Sequence, residues 1–481
     1  MNPADFRRHG HELVEWIADY LEHVERYPVL SRARPGDIAA ALPASAPEEG
    51  EPFDAIMADF ERVLVPGLTH WNHPGFLAYF AITASPPGIL AEFLSAALNQ
   101  QAMLWRTSPA STELEAVSLG WLRQLIGLPP AFEGVIYDTA SISTMHALLA
   151  AREAAVDQVR VRGLAGRPDL PRLRVYCSEQ AHSSIDKGVI AIGLGHQSLR
   201  RIPVDSAYRM RPDALRDSIA EDRAAGRLPI AVVATVGTTS TTSVDPVAEV
   251  AGVCEKEGLW LHVDAAYAGV AAMLPSHAHI LDGAGRADSL VVNPHKWLFA
   301  PVDISVLYCR RMDVLRSAFS LTPEHILQTA DAGPGGPGDS VKNLMDTGVQ
   351  LGRRFRSLKL WMILRSFGAR SIRERLSEHI RLAQVFASWV DAHPDFERLA
   401  PVPFSVVCFR WNPVDRRLTP ADLDSANERL LDLVNQTGDV FLSHTKLREG
   451  VALRLAIGHL GTKEQHIRRA WDLFVHVARA F

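Results

Sequence analysis

The chain has 481 residues, 47% hydrophobic and 22% charged, the proportions of a globular protein rather than a disordered one. Lysine and arginine number 50 against 55 acidic residues, a net charge of −5, so no basic excess marks a nucleic-acid or anionic-membrane partner. No apolar run approaches the ~18 residues of a membrane span. The N-terminal MNPADFRRHGHELVEW is charged throughout and has no leader-like apolar stretch. Cys177, Cys254, Cys309 and Cys408 are widely spread without a CxxC pair, which predicts buried thiols in a reducing cytoplasm.

In chain order, Phe6, Leu13, Ile17, Leu21 and Val24 recur at helical spacing over residues 5–27, and Pro28 ends the pattern. His9 and His11 fall on its solvated face. Residues 34–52 read as an extended connector. From about 132 to 310 short β-branched runs (GVIYD, LRVYCSE, LRRIPV, IAVVATVG, LWLHVDAA, SLVVNPHK, ISVLYC) alternate with helical segments. That alternation predicts an α/β domain with a large, mostly parallel sheet covered by helices on both faces. DAGPGGPGD (331–339) reads as a surface loop, followed by a long helical pattern over 349–392. PFSVVCFRW, a helix near 420–435, VALRLAIG and a final helix close the chain as α+β material. The expected division is an N-terminal helical arm (1–75), a large α/β domain (76–355) and a small C-terminal α+β domain (356–481).

Chemistry concentrates in LWLHVDAAYAG and SLVVNPHKW. Asp264 ends one predicted strand and Lys296 follows another 32 residues later. Ligands of open parallel sheets bind at that edge. A lysine amine beside a strand-end carboxylate suits pyridoxal 5′-phosphate (PLP): the amine forms a Schiff base, and the carboxylate keeps the pyridine nitrogen protonated. The phosphate needs a cup. Asp138-Thr139-Ala140-Ser141 runs from a strand into a helix, whose N-terminal N–H groups and hydroxyls suit a phosphate. ATVGTTSTTS (234–243) offers Thr238 or Thr239 as a second wall. His182, between a strand and a helix at the same edge, is the candidate ring to stack on the cofactor. No Walker-type loop or GxGxxG is present, and SHAH (276–279) lacks a third ligand, so no metal site is expected.

TSPASTELE (107–115), DTAS (138–141), AHSS (181–184), HVDAAYAG (262–269), NPHKW (293–297) and LGRRFRSLKLW (351–361) together resemble the group II PLP-dependent amino-acid decarboxylases. The resemblance is nearest to the aromatic-L-amino-acid decarboxylases. It implies the PLP-dependent transferase fold type I (aspartate aminotransferase-like). Lys296 would carry the cofactor, Asp264 would pair with the pyridine nitrogen, His182 would stack on one ring face and Ala266 on the other. Thr139, Ala140, Ser141, Thr239, Asn293 and His295 would surround the phosphate. It further implies a small amino-acid substrate and a homodimer with a shared active site and a swapped N-terminal arm. Trp71, His73, Tyr79 and Phe80 of WNHPGFLAYF would line the substrate pocket, with Leu104 from the other subunit.

One departure stands out. Family members in animals and plants carry a tyrosine a few residues before LGRRFR that is held to protonate the substrate Cα. The matching slot here is Leu344, nearby Thr347 is no substitute, and no tyrosine lies beyond Tyr308. A positioned acid contributes roughly 10²–10⁴ in rate. His182, His325, His444 or water are the donors left open. The expected reaction is decarboxylation to an amine and CO2. The alternative is an oxidative aldehyde synthase, in which the decarboxylated carbanion reacts with O2. An aminotransferase, for which Arg454 would be the carboxylate grip, ranks below both.

Overall fold

The computed structural model describes residues 1–321 and 342–481. The 331–339 loop and His325 lie outside the described residues. The chain divides into two compact units, residues 82–383 with 400–407 and residues 1–81 with 384–399 and 408–481.

The larger unit is built on seven strands: β1 (Glu133–Tyr137), β2 (Leu173–Ser178), β3 (Leu199–Ile202), β4 (Leu228–Thr235), β5 (Trp260–Asp264), β6 (Ser289–Val292) and β7 (Ser305–Cys309). Each corresponds to one of the β-branched runs. Their order is β1-β7-β6-β5-β4-β2-β3. β7 runs antiparallel to both neighbours, and the pairs from β6 through β3 are parallel. Every residue of β2, β5, β6 and β7 is buried. This explains their near-continuous apolar composition: helices cover both faces, so neither side of the strand meets water. Val135, Val175, Ala231 and Leu307 form one core cluster with Ala147, Leu148 and Ala151 of the helix Ala140–Ala155 and with Ile185 and Val189 of the helix Ser184–Ala191.

The long C-terminal helix begins at Ser357, eight residues later than its apolar pattern suggests, and runs to Ala392 with a break at Gly368 (φ 66°). The residues before it are held by charge instead of helical bonds. Arg353 Nη2 donates to both oxygens of buried Glu115 (2.6 and 2.8 Å). Arg354 pairs with Glu92 at 2.6 Å, and Arg356 with Asp303 at 2.8 Å.

The second unit carries the sheet β10-β11-β9-β8, made of β8 (Phe396–Arg398), β9 (Val406–Trp411), β10 (Ser443–Leu447) and β11 (Gly450–Ala456). Its partition departs from the three-part division. The segment after the N-terminal helix hydrogen-bonds to the C-terminal region, through Val29 N to Gly438 O (2.8 Å) and Leu77 N to Phe441 O (2.8 Å), so residues 1–81 share a unit with the chain's end. The first helix spans Pro3–Glu22, capped by Asn2 Oδ1, which accepts from Ala4 N and Asp5 N. His9 is its one buried residue, contrary to the solvated face expected of it. The ring packs on Phe53 and sits 2.9 Å from Glu12 and 3.4 Å from Asp54. This trio has the spacing of metal ligands, but Arg8 already neutralises both carboxylates at 3.7 and 3.8 Å.

Candidate active site

The carboxyl ends of the parallel strands gather the predicted chemistry. Asp264 ends β5 and is buried. Its Oδ1 accepts the Ala266 N–H at 3.2 Å, which fixes the carboxylate against its own strand end and seats Ala266, also buried, beside it. Lys296 lies half-buried in the short helix Pro294–Trp297 that follows β6. Two side chains brace these segments against each other. Tyr267 stacks on Trp297 with centroids 4.8 Å apart and planes 10° from parallel. Trp297 Nε1 donates to His379 Nδ1 at 3.0 Å, and Tyr267 Oη meets Ser405 Oγ at 2.5 Å. The residue after Ala266 and the residue after Lys296 are thus one rigid stack, a role the motifs alone did not reveal.

His182 sits where β2 gives way to the helix Ser184–Ala191. Its Nδ1 meets the Ser184 N–H at 3.1 Å and the Ser184 hydroxyl at 2.9 Å, so the neutral ring carries its proton on Nε2. Desolvation lowers its pKa and the Lys296 charge adds to that, while the Asp264 charge opposes it. The ring is therefore neutral at pH 7.

At the helix start Asp138 Oδ1 accepts the Thr139 N–H (2.5 Å) and hydroxyl (3.2 Å). Thr139 therefore spends both donors locally. The first-turn N–H groups at Ala140 and Ser141 are left without helical acceptors. In the loop after β4, Thr238 is wholly buried and its Oγ1 accepts from Ser243 N at 3.0 Å, whereas Thr239 is exposed. Thr239 is therefore the available hydroxyl. The loop can turn there because Gly237 adopts φ +89°, and a Cβ on it would lie 2.6 Å from the Ala268 methyl.

Asn293 and His295 decide a hydrogen-bonding question between them. Ile304 N donates to His295 Nδ1 at 3.0 Å, and burial depresses this imidazole to about 3, so its one proton is on Nε2. That nitrogen lies 3.3 Å from the Asn293 amide, whose other end is buried without a partner. An N–H needs an acceptor, so the amide oxygen belongs on His295 and the NH2 becomes the unsatisfied group. A buried donor without a protein acceptor, a helix N-terminus and an open threonine hydroxyl form a donor set suited to a phosphate. The Ser178 and Thr235 hydroxyls, at the ends of β2 and β4, are also buried and unpaired among the described residues. The residues present fit PLP.

The residues expected to contact substrate are divided between the two units. Trp71, His73, Tyr79 and Phe80 belong to the second unit. Trp71 stacks on Phe76 (4.2 Å) and Tyr79 (5.9 Å), and Tyr79 is 53% exposed. His73 is buried, its Nδ1 taking the Gly75 N–H at 2.9 Å, and burial lowers its pKa to about 4. Arg454, the grip an aminotransferase would require, is buried over the Phe80 ring at 4.7 Å and donates to the Tyr79 carbonyl. Leu104 lies in the larger unit, packed with Met103 and Met345 and only 2% exposed, so on this chain it is a core residue. Leu344 is buried, and the Thr347 hydroxyl donates to the Leu344 carbonyl at 2.6 Å.

A lysine and a buried carboxylate at one edge of this mixed sheet, with buried and helix N-terminal donors on neighbouring loops, are the arrangement of a fold type I PLP-dependent enzyme. Residues 35–412 match the pyridoxal-dependent decarboxylase conserved domain, and the chain belongs to that family. It is 38% identical to a tryptophan decarboxylase of Camptotheca acuminata, with 98% of this chain and 94% of that protein aligned. It is 39% identical to a phenylacetaldehyde synthase of Arabidopsis thaliana, over 98% and 96%. The crystal structure of Oryza sativa TDC with PLP and tryptamine superposes with a TM-score of 0.94 at 36% identity, covering 100% of this chain and 99% of that one.

Proposed function

We propose that this PLP-dependent decarboxylase acts on an aromatic L-amino acid, releasing CO2 and the corresponding amine. The observation that carries the reading is the joint placement of Lys296, buried Asp264 and neutral His182 at one sheet edge. Aromatic specificity rests on the likeness to the tryptophan decarboxylase. Bound PLP supplies an electron sink for the pair released when the Cα–carboxylate bond breaks. Lys296 Nζ is the amine that anchors the cofactor and yields it to the substrate amine. Asp264 supplies the negative charge that keeps the pyridine nitrogen protonated. Ala140, Ser141, Thr239, Asn293 and His295 hold or orient the phosphate, and Ala266 leaves room on one ring face. Trp71, His73, Tyr79 and Phe80, with Leu104, are the proposed substrate contacts. His182 Nε2–H is the proposed donor to Cα, because it follows β2 at the same sheet edge as Asp264 and Lys296.

The aldehyde-synthase reading keeps one specific support. The slot of the expected tyrosine holds a buried leucine, and the Arabidopsis relative is named for an aldehyde product. A product balance in air on PLP-loaded protein separates the two, with L-Phe, L-Tyr, L-Trp and L-DOPA as substrates. Amine equal to CO2 without O2 loss supports the decarboxylase. Aldehyde with matching O2 uptake and peroxide replaces it with the synthase, and no CO2 from any of the four overturns both.

We also propose a homodimer in the cytoplasm. Leu90, Leu94 and Leu98 of the helix Pro86–Leu98 are about half exposed, as is Val117 on the helix Pro109–Leu125. All four cysteines are free and buried, which suits a reducing compartment. Among the described residues no helix is long and apolar enough to cross a membrane. Sedimentation at twice the chain mass is the expected result for the dimer.

A further inference from the structure

The pyridine ring of PLP is rigid and its phosphate arm short, so the distance from ring nitrogen to phosphate spans only a narrow range. The protein must therefore hold two anchors at a matching separation: Asp264 at the end of β5, and the N-terminus of the helix Ala140–Ala155. One buried contact joins these elements just behind both anchors. His262 lies two residues before Asp264 on the same face of β5. Thr144 lies about one turn into the helix, behind Ala140 and Ser141. His262 Nε2 and Thr144 Oγ1 are 3.5 Å apart, and both residues are fully buried.

The orientation of the imidazole is enforced from its other side. Trp260 Nε1–H can only donate, and it meets Ser289 Oγ at 2.9 Å. Ser289 Oγ also meets His262 Nδ1 at 2.9 Å, and with the hydroxyl donating there the ring proton sits on Nε2, facing Thr144. Burial lowers the ring's pKa to about 4, so it is neutral at pH 7 and puts no competing cation behind Asp264.

We propose that His262 is a positioning residue, a neutral strut from β5 to the phosphate-cup helix that keeps the ring-nitrogen anchor and the phosphate anchor at the separation the cofactor requires. It deepens the assignment of Asp264 and the helix start to PLP and rests on it. Gripping one rigid ligand at two points gains affinity through effective concentration, and that gain is lost when the two points drift apart.

The test compares ligands that use two anchors or one, on apo-protein, with dissociation constants from fluorescence quenching. His262→Phe removes both ring hydrogen bonds; Thr144→Val is the milder companion should the first fold poorly. PLP affinity is expected to fall about tenfold in each. Affinity for pyridoxal, which lacks the phosphate, and for inorganic phosphate is expected to stay within about twofold. His262→Gln keeps a donor toward Thr144 and is expected to recover most of the PLP affinity. Unchanged PLP affinity, or equal losses for all three ligands, overturns the strut, the second result marking a general structural role. Asp264→Asn and Ser141→Ala serve as controls. If neither weakens PLP, the anchor assignment itself fails, which is a different outcome from loss of the strut.

Discussion

The cofactor edge and the WNHPGFLAYF segment are built on opposite principles. At the cofactor edge the proposed groups are held by neighbours: Asp264 by Ala266 N–H, His182 by Ser184, His295 by Ile304 N–H, and the flanks of both motifs by the Tyr267–Trp297 stack. In the aromatic segment Trp71 and Tyr79 are substantially exposed and held mainly by stacking on each other and on Phe76. The first region is specified by hydrogen bonds, so its chemistry tolerates no change of residue type. The second is specified by shape, and as the proposed substrate contact it would tune preference among similar substrates.

The most severe break of that contrast is Lys296→Ala, which should abolish turnover and the absorbance of lysine-bound cofactor while leaving the fold intact by circular dichroism. Asp264→Asn should lower kcat by roughly 10²–10³, the usual loss for a preorganised electrostatic group. Glu115→Ala strands the buried Arg353 guanidinium and should cost about 3–5 kcal/mol in urea unfolding. Trp71→Ala should change kcat/KM ratios between aromatic substrates by roughly tenfold, with little effect on the cofactor spectrum.

Acidity sharpens the comparison further. His146, His262 and His295 are buried neutral, at about 3, 4 and 3. Their folded values lie below the unfolded value near 6.5. The unfolded chain therefore binds more protons once pH drops under 6.5, and stability falls by up to about 1.4 kcal/mol per pH unit for each histidine until its folded value is reached. Urea midpoints measured from pH 8 to 5 should be flat above 6.5 and decline below it.

Much of the cofactor edge was legible because its signals are local. Seven apolar runs became seven strands, and Lys296 and Asp264 were marked by strand ends. Other features depend on register that periodicity does not carry. His262 and Ser289 are 27 residues apart and meet because β5 and β6 pair them directly. β10 reads SHTKL, mostly polar and partly exposed, and β8 has three residues, so neither showed an apolar period. The segment before Ser357 looked helical because arginines are good helix formers, yet three buried or half-buried carboxylates hold it extended.

The antiparallel strand β7 also sets an order of events in time. Among the described residues β1 has β7 as its only neighbour in the sheet, and about 170 residues of chain separate them, so the pairing is among the most non-local in the unit. During synthesis at ~5–20 residues per second, β1 waits roughly ten to thirty seconds for its partner. The helix Ala140–Ala155 follows β1 directly, and Lys296 lies on the connection from β6 to β7. A nascent chain that stops short of Ser305 therefore has every proposed cofactor-binding residue in its sequence but no partner for the strand that leads into the proposed phosphate cup.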